Sequence, residues 1–291
     1  NVSKFNSEIK TIMPTKDRSK EAKSNFRKGV ELQKQGNFSE SIKSYEQAIE
    51  IKPDYAQPLL RLAKIHASQE NWSEAIKCYK RIVALDSENY DVYLKLAKAL
   101  LKQNKIYAAI ATYQEVIELK PDISEKVYQV LGDLLLQEKD DLGNAIAAYR
   151  QVAEKGSELK TGFYVKYGDA LLQKNIVDEA IVNYQKAVQL NSDSARCHML
   201  LGNALWQKGD LDNAANSYQK ALELKPDSSP VCKKLGDIYL KKEQLDSANK
   251  YYHKALELNP EKTTLYRCLG DVAKKQGRLD EAERLYNRSN Q

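Results

Sequence analysis

Residues Leu201–Pro226 read LGNALWQKGDLDNAANSYQKALELKP, and their internal spacing decides the fold. Leu201 and Leu205 are four apart, then Leu211, Ala214, Tyr218, Ala221 and Leu222 follow at three-and-four spacing. Each set places its apolar residues on one face of a helix. Gly209 stands between the sets, a residue that reaches the left-handed backbone ending a helix at no steric cost. Pro226 closes the stretch, where a helix cannot continue. The string predicts a helix, a tight turn, a second helix and a break.

Working outward, a similar string runs from Leu235 to Pro260, and fainter copies extend in both directions. Tyr45, Tyr79, Tyr113, Tyr149, Tyr184, Tyr218, Tyr252 and Tyr286 recur at intervals of 34, 34, 36, 35, 34, 34 and 34 residues. Four residues before each tyrosine stands Ser41, Ala75, Ala109, Ala145, Ala180, Ala214, Ala248 or Ala282. A third column holds Gly29, Ala63, Ala97, Gly132, Gly168, Gly202, Gly236 and Gly270. Gly36, Asn104, Asn175 and Gly277 match the turn at Gly209, and Pro53, Pro121 and Pro260 match Pro226. The small residues are expected to face each other across the helix pair, with tyrosine filling the space toward the next unit. One pair cannot cover its own apolar face, so such units must stack.

These Leu-Gly, Ala, Tyr, Ala and Pro columns resemble the tetratricopeptide repeat. The resemblance implies an all-α, right-handed superhelical solenoid of antiparallel helix pairs, whose first helices line a groove for peptides or proteins. The expected units are 22–55, 56–89, 90–123, 125–159, 161–194, 195–228, 229–262 and a truncated 263–291, preceded by an N-terminal cap or arm over 1–21. The fourth and fifth units depart from 34 residues at Glu138–Asp141 and Gly156–Lys160, which predicts an irregularity and a change of curvature there. The last unit lacks a polar closing helix. The expectation is a fragment of a longer protein, able to self-associate through the uncapped end.

Composition agrees with a helical, soluble chain: 12 Gly and 7 Pro in 291 residues leave little for an all-β fold. No apolar run approaches the roughly 18 residues of a membrane span. Cys78, Cys197, Cys232 and Cys268 are scattered without metal-type spacing and read as reduced thiols in a cytoplasmic protein. Ser39 and Ser73, in two Asn-X-Ser tripeptides, are expected to cap helix starts.

Catalytic chemistry finds little support. His66, His198 and His253 occupy different positions in units two, six and seven, and no phosphate loop, dinucleotide fingerprint or hydrolase motif occurs. No cofactor or metal is expected. Function is therefore expected in the groove. Counting from the start of each first helix, the sixth column reads Arg27, Arg61, Lys95, Val130, Lys166, Leu200, Lys234 and Cys268. The ninth reads Val30, Lys64, Lys98, Asp133, Asp169, Asn203, Asp237 and Asp271. With Lys34 and Lys102 from the thirteenth column, units one to three carry a basic stripe. Through Ile123 there are 21 Lys and Arg against 16 Asp and Glu, and afterwards 25 against 24. Such a stripe attracts an acidic segment, although a solvated lysine face is the ordinary alternative.

In the later units the aspartates interleave with Lys166 and Lys234, so intramolecular pairing competes with binding of a mixed-charge segment. Trp206, with Met199 near it, offers either an apolar platform or edge packing between helices. The family's carboxylate clamp is not matched: unit one has Phe26 and Val30, and unit six has Met199 and Asn203 followed by Lys234. Nor is there an asparagine ladder as in O-GlcNAc transferase repeats, since only Asn203 stands in these columns. The favoured reading is a non-catalytic scaffold for an acidic peptide or protein segment. A recruiting arm for an enzyme domain beyond Gln291, such as a glycosyl- or methyltransferase, is the alternative. RNA binding is disfavoured, because only Phe26 interleaves with the cations where base stacking would need aromatics.

Overall fold

The computed structural model describes residues 15–138, 141–155 and 158–290. Among the described residues there are sixteen α-helices and no strand. The described residues fall into two compact halves, divided between Leu134 and Leu135.

The first half holds three complete pairs: α1 (Thr15–Lys34) with α2 (Phe38–Ile51), α3 (Ala56–Ser68) with α4 (Trp72–Leu85), and α5 (Tyr90–Lys102) with α6 (Ile106–Leu119). Helix α7 (Glu125–Glu138) crosses the boundary. The second half continues with α8 (Leu142–Glu154), then α9 (Thr161–Gln173) and α10 (Val177–Leu190). After them come α11 (Ala195–Lys208) with α12 (Leu211–Leu224), α13 (Ser229–Lys241) with α14 (Leu245–Leu258), and α15 (Thr264–Lys275) with α16 (Leu279–Ser289). Within each half a second helix packs on its own first helix and on the first helix of the next pair. Helix α1 begins inside the segment read as a cap or arm, while residues 1–14 lie outside the described residues. So does part of the expected irregularity, at 139–140 and 156–157.

The repeat columns form the core. Tyr45, Tyr149, Tyr184 and Tyr218 are fully buried, and Tyr79, Tyr113 and Tyr252 nearly so. The glycines allow this. A methyl group on Gly202 would lie 2.8 Å from the Tyr218 ring, and one on Gly236 would lie 2.5 Å from the Tyr252 ring. Each glycine thus faces the tyrosine of its own unit, closer than the expected contact between two small residues. That second contact is also present in unit one, where the Ser41 hydroxyl donates to the Gly29 carbonyl at 2.8 Å.

The turns follow the expected chemistry. Gly36, Asn104, Asn175, Gly209 and Gly277 all adopt positive φ, and so do Glu70 and Glu243, which sequence alone did not mark. Ahead of Pro53, Pro121, Pro226 and Pro260, the residues Lys52, Lys120, Lys225 and Asn259 leave the helical region, a conformation a following proline accepts; Asp86 and Asn191, each followed by serine, adopt it too. The capping assignment is corrected: Ser39 and Ser73 lie within the first turns of α2 and α4, whose N-cap positions are Asn37 and Asn71. Asn37 accepts from the Glu40 N–H at 3.3 Å. Ser73 instead accepts from Gln103 at 2.7 Å, tying two successive turns together.

Candidate interaction surface

Helices α3 and α5 present their outward residues at three-and-four spacing, which brings Arg61 with Lys64 and Lys95 with Lys98 and Lys102 onto one face of each. Arg61, Lys64, Lys98 and Lys102 are exposed, as are Arg27 and Lys34 on α1, and none forms an ion pair among the described residues. Lys95 is half-buried and donates to the Asp91 backbone carbonyl at 3.1 Å. Helix α3 carries no carboxylate at all, and α5 carries only Asp91. The cations therefore stand with little neutralising charge on their own helices.

The ninth column behaves differently in the second half. Tyr184 donates to Asp169 at 2.6 Å, Tyr218 to Asn203 at 2.7 Å, Tyr252 to Asp237 at 2.8 Å and Tyr286 to Asp271 at 2.8 Å. Sequence reasoning placed these acids facing a partner or paired with Lys166 and Lys234. The structure commits one side-chain oxygen of each to the tyrosine of its own unit. Asp237 also holds Lys233, at 2.8 and 3.0 Å, rather than Lys234. The signal was present in the sequence as a constant separation of 15 residues between each acceptor and its tyrosine. Burial pushes the Asp169 carboxyl above the usual range, and the Tyr184 hydroxyl bond partly offsets this. Burial, with the neighbouring carboxylate, raises the Tyr184 and Tyr252 phenols as well. Asp133 is half-buried on α7 and Lys166 is exposed on α9.

Trp206 and Lys234 do come together. The ring is half-buried and lies under two ammonium groups, Lys234 at 5.4 Å and Lys241 at 4.1 Å from the centroid. Lys241 was missed because its column gave no reason to single it out. Met199 lines a pocket of about 180 Å³ with Arg196, Ala221, Lys225 and Val231.

The four cysteines are free thiols, and burial pushes Cys78 up to about 11. Among the described residues no group of three His, Cys, Asp or Glu side chains is placed to hold a metal ion. No helix among them is long and apolar enough to cross a membrane.

Sequence models of the tetratricopeptide repeat match residues 29–69, 168–209 and 236–277, residues 60–123, and residues 195–228. With its paired helices and repeated columns, the chain belongs to the tetratricopeptide-repeat family, a fold of protein-interaction scaffolds. Among solved structures it is similar to MamA, with 26% identity over 55% of this chain and 92% of that one and a TM-score of 0.52. It shares the fold of YrrB, described as a TPR protein with an unusual peptide-binding site, at 21% identity over 68% of this chain and 97% of that one, TM-score 0.56. The C-terminal part of a TPR repeat-containing protein from Cytophaga hutchinsonii aligns at 17% identity over 84% of this chain and 99% of that one, TM-score 0.58. No curated protein matches the chain significantly.

Proposed function

We propose that the chain is a non-catalytic scaffold that binds an extended acidic peptide or protein segment along the first helices of units one to three. The observation that carries this reading is the run of exposed, unpaired cations Arg61, Lys64, Lys98 and Lys102 on two helices that bear one carboxylate between them. Concentrated charge of one sign draws an oppositely charged segment and sets its register, most strongly at low ionic strength. Arg27 and Lys34 on α1 extend the same sign by one unit. The bonds of Asp169, Asn203, Asp237 and Asp271 within their own units support placing the acidic ligand on the first half. The paired structure of the family supports a binding role over a catalytic one, and His66, His198 and His253 lie in three separate units.

The test is fluorescence anisotropy with a labelled glutamate-rich peptide, comparing the native chain with the variant Arg61→Glu, Lys64→Glu, Lys95→Glu and Lys98→Glu. Circular dichroism checks that the variant stays helical. The variant is expected to bind at least about tenfold more weakly, and moderate salt to weaken the native complex. Equal affinity of the two proteins would show the reading to be wrong.

A further inference from the structure

The cluster at Trp206 lies in the second half of the molecule and owes nothing to the basic stripe. Lys234 and Lys241 are seven residues apart on α13, two turns along one face, and both ammonium groups approach the same indole of α11. The ring's negative face attracts them without neutralising them. Neither lysine forms an ion pair among the described residues. Asp237, three residues from Lys234, is occupied by Lys233 and by the Tyr252 hydroxyl, and Glu243, two residues from Lys241, pairs with Lys275 at 3.5 Å. Two cations are thus held against one indole, neither with an ion-pair partner among the described residues.

We propose that Trp206, Lys234 and Lys241 form a second anion-recognition site, which takes a carboxylate side chain of an acidic peptide segment. A carboxylate reaching this ring from solvent comes under the attraction of two ammonium groups, whose positions the indole fixes. Charge-assisted bonds to two donors are stronger than to one and favour an anion over a neutral side chain. A nucleobase fits less well, because stacking needs an open aromatic face. Here the ring is half-buried and Lys241 lies 4.1 Å from its centroid.

The chain has two tryptophans, so Trp72→Phe leaves Trp206 as the sole indole reporter. That protein, at full length, is titrated with hexaglutamate at low ionic strength while Trp206 emission is followed. A saturable change is expected, with the midpoint shifted about tenfold or more by Lys234→Gln with Lys241→Gln. The pair Lys234→Arg with Lys241→Arg keeps both charges and should retain the response, which separates loss of charge from loss of fold. Arg61→Gln with Lys64→Gln, in the other half of the chain, should leave it within about twofold, since effects at sites with no shared partners add. The proposal is overturned by an unresponsive parent or by a glutamine pair that titrates like its parent. An arginine pair that loses the response, or an emission change produced by oligouridine but not by hexaglutamate, overturns it equally. Failure of the stripe alone leaves this titration unchanged, so the two sites are judged separately.

Discussion

Units two and three differ from units five to eight at two adjacent positions, and the pair of differences has one cause. The later units have Gly followed by Asp or Asn: Gly168-Asp169, Gly202-Asn203, Gly236-Asp237 and Gly270-Asp271. The earlier ones have Ala63-Lys64 and Ala97-Lys98. Where glycine stands, the tyrosine ring presses into space that a methyl group would fill, and its hydroxyl reaches the next residue on the first helix. Where alanine stands, the ring cannot take that position. Among the described residues, Tyr79 and Tyr113 have no side-chain acceptor for their hydroxyls. The same helical position thus serves the fold in one half and points a cation outward in the other. Unit one is intermediate, with Gly29 under the ring but Val30 beside it, and Tyr45 donates to Gln33 at 2.8 Å instead.

The largest test of this contrast is alkaline pH. Burial raises the phenols of Tyr45, Tyr79, Tyr113, Tyr184, Tyr218 and Tyr252. The folded chain therefore holds these protons at a pH where the unfolded chain, near the ordinary value of about 10, releases them. Their contribution to stability is complete below about pH 10 and is lost as pH rises further, by up to about 1.4 kcal/mol per pH unit for each tyrosine. Melting followed from pH 9 to 11.5 should show a steep fall. Tyr184 and Tyr252, whose phenols the neighbouring carboxylates raise further, should be the last to titrate in absorbance at 295 nm. A flat melting temperature over that range would break the argument.

A smaller effect is expected from Gly236→Ala, whose new methyl meets the Tyr252 ring at 2.5 Å. Overpacking of this kind costs about 1–3 kcal/mol. Urea unfolding measures it, and a neutral result would mean that the ring has room to move.

The smallest effect separates the two halves most cleanly. Tyr252→Phe removes the hydroxyl bonded to Asp237 and should cost about 1.5 kcal/mol, as loss of a bond to a charged acceptor does. Tyr79→Phe removes a hydroxyl with no side-chain acceptor and should stay within about 0.5 kcal/mol. Equal losses at the two sites would erase the proposed difference between the halves.

Much of this was legible in the sequence. Tyrosine recurrence, helical spacing and the Gly, Asn and Pro punctuation set the helix pairs and their turns, because those signals act within a few residues. The outward positions of Arg61, Lys64, Lys98 and Lys102 followed from the same periodicity. Other features depend on what lies across the helix pair or in the next unit. The aspartates looked like a surface column until the tyrosine ring, held against glycine, brought its hydroxyl to them. Lys241 had no special standing until the stacking of successive units set its ammonium group over Trp206. Periodicity along the chain therefore determined the fold, since stacking repeats need only nearest-neighbour rules. Tertiary structure alone decided which charges are satisfied, because a hydrogen bond or ion pair depends on a few ångströms between groups far apart in sequence.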